Sequence, residues 1–342
     1  MTRPSPAWLT ADVRRVQAHH AHRVAEVWSG AAPGPVHIDG RFFGRAHGLW
    51  GTDEPDMLEE PEEWLADVLA DMGTAAEWAG DERTFRPLYI ELDPLGTHFI
   101  DALLGAGVYF HEGQVWSDQL TCGIGELEPP DLRSGGLLRK AARLAELALA
   151  ATGGCIPIAL PVFSCPVNTG TSVFGQRLLE ALVCQPADAA RALRVVTDCI
   201  IAAVRALHAV VSAGLRLNSV ACNRFGPEGF GQIDGCATQL VSAEHYARFF
   251  APLDAALLRA WPAQAGLIHL CGAHAQHIPT WRGMPEIRAV QLNDRAAEDL
   301  ELYAGGLRED QVIYVAPTPT MPPERILEAA RGRRLVAQWS AP

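Results

Sequence analysis

Gly266-Leu-Ile-His-Leu-Cys-Gly272 is the stretch on which the reading of the fold turns. It is short, mostly apolar and closed by glycine at both ends, as expected of a strand buried on both faces of a sheet. Two runs of the same kind follow closely, Ile287 to Leu292 and Gln311 to Val315, and Leu335 to Trp339 ends the series. Towards the N-terminus, Pro35-Val-His-Ile-Asp39, Pro87-Leu-Tyr-Ile-Glu91 and Cys155 to Val162 have the same character. Leu215 to Ala221 and Gly231 to Asp234 compete for one further position, and the second fits better.

Helical patterns fill most of the gaps. Met57 to Met72 carries Trp64, Leu65, Val68, Leu69 and Met72 at helical spacing, with acids on the opposite face. Leu137 to Ala151 is rich in alanine and leucine and is stopped by Gly153-Gly154. Further helices are read over residues 172–184 and 187–213, Ala243 to Ala260, and Pro323 to Ala330. Residues 105–118 read as a hairpin, with Tyr109, Phe110, His111 and Trp116 either packing on the body or forming a lid over substrate. Repeated strand–helix units imply a parallel sheet, and eight of them imply a closed (β/α)8 TIM barrel. An open doubly wound sheet is the runner-up, but no glycine-rich phosphate loop follows the first strand candidate. The expected organisation is one α/β domain over residues 1–342, with residues 1–30 as an N-terminal helical extension in which His19 and His20 are solvated.

Composition narrows the partners. The 342 residues carry 28 basic and 40 acidic side chains, for a net charge of -12, which disfavours nucleic acid or an anionic membrane as the main partner. The start of the chain lacks the apolar core of a secretory signal, and no apolar run is long enough to span a bilayer. The eight cysteines contain no CxxC pair and read as reduced thiols, so a cytoplasmic setting is expected.

Chemistry concentrates at the expected strand ends. His269 and Cys271 stand two apart on a strand, so an imidazole and a thiol project from one face. Zinc accepts such a mixed nitrogen and sulfur set but needs a further ligand and an open position for chemistry. His274, His277, Cys236 or Asp294 could complete it, Asp294 following the next strand. Asp39, Glu91 and Asp234 sit at or just past strand ends, where a carboxylate is hard to explain as core. Each is a candidate catalytic acid, with helix capping or pairing to arginine as the structural alternative. Arg41 and Arg45, in Arg41-Phe-Phe-Gly-Arg45, and His111 are candidate substrate-binding residues.

Four stretches in the second half resemble the uroporphyrinogen decarboxylase superfamily, which also contains zinc-dependent, corrinoid-linked methyltransferases. Phe174-Gly-Gln-Arg-Leu-Leu-Glu-Ala-Leu-Val-Cys-Gln-Pro-Ala187 resembles a family helix. Asp234-Gly-Cys-Ala-Thr-Gln-Leu-Val-Ser-Ala-Glu-His-Tyr246 resembles its aspartate strand end and the helix start that follows. Gly266 to Gly272 is similar to the His-x-Cys-Gly strand end of the methyltransferase branch, and Pro323 to Ala330 to the closing helix. In the first half, Arg41 to Arg45 has the spacing of the decarboxylase's carboxylate-holding arginine loop, with Phe42-Phe43 in place of Gln-Ala. Asp294 resembles in position the acid near the zinc of the methyltransferase branch. That branch supplies a second cysteine from the C-terminal strand, whereas this chain has no cysteine after Cys271.

The resemblance implies one of two reactions. One is zinc-assisted methyl or alkyl transfer to a thiol or similar nucleophile, from a corrinoid protein as partner. The other is cofactor-free decarboxylation of an aromatic or tetrapyrrole-like acid. A homodimer is implied with either.

Overall fold

The structure, a computed structural model, describes residues 6–41, 43–44, 55–112, 114–132, 136–211, 218–221 and 224–342, the stretch 218–221 by its backbone alone. The strands are β1 (Val36–His37), β2 (Ile90–Glu91), β3 (Val108–His111), β4 (Gln114–Ser117), β5 (Ile158–Ala159), β6 (Asn218–Ala221), β7 (Arg224–Glu228), β8 (Gly231–Asp234), β9 (Gly266–Cys271), β10 (Ile287–Asn293), β11 (Val312–Val315) and β12 (Leu335–Ala337). Six of them form one parallel sheet in the order β1-β12-β11-β10-β9-β8. The order of β8 to β12 along the chain is kept in space, as helical crossovers between neighbouring parallel strands require.

The closed eight-stranded ladder expected from the sequence is not formed among the described residues. β2 and β5 pair only with each other, over two residues. Single parallel bridges join this pair's neighbourhood to the sheet edges, Ile38 to Phe85 on one side and Ser164 to Asp234 on the other. The physical reason lies in Pro87, Pro157 and Pro161. A proline has no N–H to give to a ladder, so these strands are reduced to short paired stretches. The Pro157 carbonyl still accepts from Ile90 N at 2.9 Å.

Both faces of the sheet are buried, and side chains divide between them with period two. On β9 and β11, Ile268, Leu270, Ile313 and Val315 face one core with the helices Pro166–Phe174, Gln176–Cys184 and Pro186–Val211. Leu267, Val312 and Tyr314 face a second core with Ile38 and Phe85. The N-terminal helix Ala11–Ser29 closes this second core through Val24, Val27 and Trp28. Trp28 Nε1 donates to Tyr314 Oη at 2.8 Å, and Tyr314 donates to the Phe225 carbonyl at 2.7 Å. His20 is buried on the same helix, bonded to the Asp81 carbonyl at 2.7 Å and stacked on Phe85, which corrects the expectation of a solvated side chain. The stripe Val13, Val16, His20, Val24, Val27 repeats every three or four residues, so position alone places His20 inside.

The later strand expectations shift only at their ends, but the helix expected over 172–184 breaks at Gly175, Phe174 ending one helix and Gln176 starting the next. The helix expected over 243–260 is divided, with a π-turn at Tyr246–Phe250 ahead of Pro252. Residues 218–221 pair antiparallel with β7 as a hairpin, while Gly231–Asp234 takes the place in the parallel sheet. Among the described residues, no helix is long and apolar enough to cross a membrane.

Candidate metal centre

On β9 the face that carries Leu267 also carries His269 and Cys271, so the buried core gives way to polar donors towards the C-terminal edge of the sheet. β8 lies alongside in parallel, with Asp234 opposite His269. Cys271 ends β9, and Cys236 opens the 3-10 turn Cys236–Leu240 that follows β8, which brings the two side by side. Their Sγ atoms are 2.7 Å apart. The ligating atoms of Cys236, His269 and Cys271 all lie within 4.8 Å of one another.

His269 is oriented from behind. Its Nδ1 bonds Gln291 Oε1, and Gln291 Nε2 in turn donates to Gln338 Oε1 at 2.7 Å. An amide oxygen only accepts, so Nδ1 carries the proton and Nε2 is left for the sulfurs. Gln291 is the register partner of His269 on β10, which places this support by strand pairing alone. Cys271 is pulled well down from the ordinary thiol range, chiefly by the hydrogen bond from the Cys236 thiol, against the opposing effect of burial. Cys236 moves the other way, because its hydrogen bond to Cys271, burial and the nearby negative charge all hold its proton in place.

The turn after β9 is fixed by histidines that point away from the sulfurs. His274 is fully buried, with Nε2 3.1 Å from the Cys271 carbonyl and Nδ1 2.8 Å from Thr238 Oγ1. Burial pushes it down to about 4, so it is neutral and braces the backbone. His277 holds the Thr238 carbonyl at 2.8 Å. Gly272 has φ +110°, and a Cβ there would run into the Gln239 side chain, so only glycine turns the chain this sharply beside Cys271.

The donor set suits zinc. Two sulfurs and one imidazole nitrogen are the usual ligands, and three protein ligands leave the fourth position open. Bonds of about 2.3 Å at tetrahedral angles would part the two sulfurs to about 3.8 Å. That is roughly an ångström beyond their present separation, within reach of side-chain rotation.

Of the other sequence candidates, Asp294 does not join the three. It is exposed, in a left-handed conformation at φ +46°, and accepts from Asn293 at 3.2 Å, although its charge reaches Cys271. Asp234 is buried at the end of β8, where Arg224 Nη1 donates to it at 2.8 Å. Glu91 is fully buried on β2. Asp39, half-buried, accepts from Ser340 at 2.6 Å and lies 3.8 Å from Arg86. Arg41 pairs at the surface with Asp71 at 2.6 Å. His111 is exposed near the tip of the β3–β4 hairpin, beside Glu112. Arg45 lies outside the described residues.

A cleft of 460 Å³ opens next to the cysteines, lined by Asp234, Cys236, Ser164, Asn168, Ser172 and His98 among others. Hairpin residues Tyr109, Phe110, His111 and Trp116 do not line it. His98 and its partners escaped the sequence reading, because nothing in Asp93-Pro94-Leu-Gly-Thr-His98 marks them as more than a helix start.

No family model matches the sequence, and no curated protein matches it. Among solved structures the chain is similar to a methyltransferase from Methanosarcina mazei, with a TM-score of 0.64 and 14% identity over 94% of this chain and 93% of that one. The likeness is one of fold, and it runs through nearly the whole of both chains. A weaker match, to the catalytic domain of Cellulomonas fimi Cel6B, has a TM-score of 0.34 at 14% identity over 91% of this chain and 62% of that one, and carries no argument.

Proposed function

We propose that this protein is a metal-assisted transferase that moves a methyl or small alkyl group to a thiol, with zinc held by Cys236, His269 and Cys271. The observation that carries the reading is the convergence of two sulfurs and one tautomer-fixed imidazole at the C-terminal edge of a parallel sheet. In α/β enzymes that edge is where chemistry is placed. Similarity of fold to a methyltransferase supports the same reading.

A zinc ion there would supply Lewis acidity that favours the thiolate form of the acceptor. The protein's own part is to orient His269 through Gln291 and Gln338, and to hold Cys271 deprotonated. The adjoining cleft seats the acceptor. In the transfer, the acceptor loses its S–H proton and its sulfur pair forms the new S–C bond. The donor keeps the electron pair of the bond that breaks. A corrinoid carrier is the donor that fits this chemistry, and the resemblance to corrinoid-linked methyltransferases supports it. We take the chain as one domain in which the eight parallel segments close as a (β/α)8 barrel, the two single bridges standing at its seams.

The decarboxylase reading has no comparable support, since Arg41 is engaged by Asp71 and Asp234 by Arg224. Metal analysis of protein purified without chelator tests the proposal. About one zinc per chain is expected, lost in Cys271→Ala and in Cys236→Ala but kept in Cys184→Ala. The zinc-loaded protein should also transfer the methyl group of methylcobalamin to 2-mercaptoethanol. Protein that takes up no zinc when it is supplied would overturn the reading.

A further inference from the structure

The cleft beside Cys236 contains a second arrangement of polar groups that the metal centre does not use. His98 closes the 3-10 turn Gly96–His98, and Asp101 lies three residues on, in the helix Phe99–Leu103. His98 Nδ1 is 2.7 Å from Asp101 Oδ2, and the Ser172 hydroxyl donates to the same oxygen. Asp101 is fully buried, and its Oδ1 has no hydrogen-bond partner among the described residues. A carboxylate only accepts, so Nδ1 of His98 carries the proton. Nε2 then presents a lone pair, with no partner among the described residues, on a ring that is one-fifth exposed and lines the cleft.

The helix that carries Ser172 ties this pair to the metal centre. On that helix, Pro166–Phe174, Asn168 Oδ1 accepts from the backbone N–H of Ala237, next to Cys236, at 2.7 Å. Ser172 stands one turn further along the helix, holding Asp101. Four residues of helix rise about 6 Å. The anchor of the histidine and the anchor of the Cys236 loop are thus a fixed, short distance apart on one rigid element. The cleft is also lined by Ser164, Asn168, Thr97 and Asp234, which suits a small polar molecule.

We infer that His98 is the acid–base residue of this site, taking the proton of a small thiol that enters the cleft, with Asp101 and Ser172 as its positioning residues. The inference rests on the transferase reading above. The S–H bond breaks, its electron pair stays on sulfur, and the proton moves to Nε2. The resulting imidazolium is stabilised by the Asp101 carboxylate, which is buried where a charge is costly unless it is paired. Nδ1 keeps its own proton throughout, so the ring accepts only on the side that faces the cleft.

The test is proton counting on the zinc-loaded protein. Titration calorimetry with 2-mercaptoethanol at neutral pH, in two buffers of different protonation enthalpy, gives the protons released per thiol bound. Wild type is expected to release well under one proton, because His98 retains it, and His98→Gln close to one. Asp101→Asn should move towards the His98→Gln value, which a merely structural role for Asp101 would not produce. As a readout on the unmutated protein, the 15N resonances of the His98 ring should shift to imidazolium values on thiol addition. Equal proton release by wild type and His98→Gln, with unmoved ring resonances, overturns this assignment and leaves the metal reading intact. A zinc-loaded wild type that binds no thiol overturns both.

Discussion

Cys236, in the turn after β8, and Cys271, at the end of β9, meet sulfur to sulfur at 2.7 Å, although 35 residues separate them in the chain. The register of β8 on β9 sets Asp234 opposite His269, and the 3-10 turn that Cys236 opens completes the approach to Cys271.

The support behind His269 gives the first prediction. Gln291→Leu removes the acceptor for Nδ1–H and frees the ring to rotate or change tautomer. Loss of such a partner typically costs about 10–100-fold in metal affinity. Competition with a zinc chelator should show a drop of that size with the fold unchanged by circular dichroism. Unaltered affinity would show that the glutamine chain does not orient the ligand.

Gly272→Ala probes the turn. The residue sits at φ +110° with the Gln239 side chain in the path of a Cβ, so alanine must shift the backbone next to Cys271. Strain of this kind costs about 1–3 kcal/mol. Urea unfolding should register the loss, and zinc affinity should fall with it.

Arg224 and Asp234 form a buried ion pair at 2.8 Å. Arg224→Met strands a carboxylate beneath the site, at a cost of about 3–5 kcal/mol. The double variant Arg224→Met/Asp234→Leu should recover much of that stability in denaturant unfolding. A single variant as stable as the wild type would mean that Asp234 is satisfied by other groups.

A pH dependence is expected from Asp254, which is fully buried and accepts from Tyr246 Oη at 2.7 Å, itself bonded to Trp281. Burial raises Asp254 to about 7 from an ordinary 3.8, the Tyr246 hydrogen bond offsetting only part of this. Between those values the unfolded chain has lost a proton that the folded protein keeps. Stability therefore falls as pH rises from about 4 to about 7 and is level above, a difference on the order of 4 kcal/mol. Asp254→Asn should flatten this limb and equal or exceed wild-type stability at alkaline pH. Unfolding curves collected across that range for both proteins decide the matter, and parallel profiles would refute the burial effect.

Much of the architecture was legible along the chain because it depends on local periodicity. Gly266 to Cys271 reads as a strand from its composition alone, and the i, i+2 spacing of His269 and Cys271 puts them on one face whatever the fold. The stripe through Val13, Val16, His20 and Val24 is equally visible, and on it the position of His20 outweighs its polarity. Cys236 was legible only as one of several possible third donors. His98, Asp101 and Ser172 carried no mark at all, since histidine and aspartate three apart are common on helix surfaces.

What the sequence determined by itself was the alternation of buried strands and amphipathic helices, and one imidazole–thiol pair on a strand. Those follow from backbone geometry and the hydrophobic effect, which act over a few residues at a time. Only the tertiary structure decided that Cys236, not Asp294, stands beside that pair, and that Ser172 braces a histidine 74 positions away. Both depend on strand register and helix docking, which bring distant segments together through contacts that no local pattern encodes. The interrupted pairing of β2 and β5 belongs in the same class, because proline's missing N–H takes effect only where a neighbouring strand would have received it.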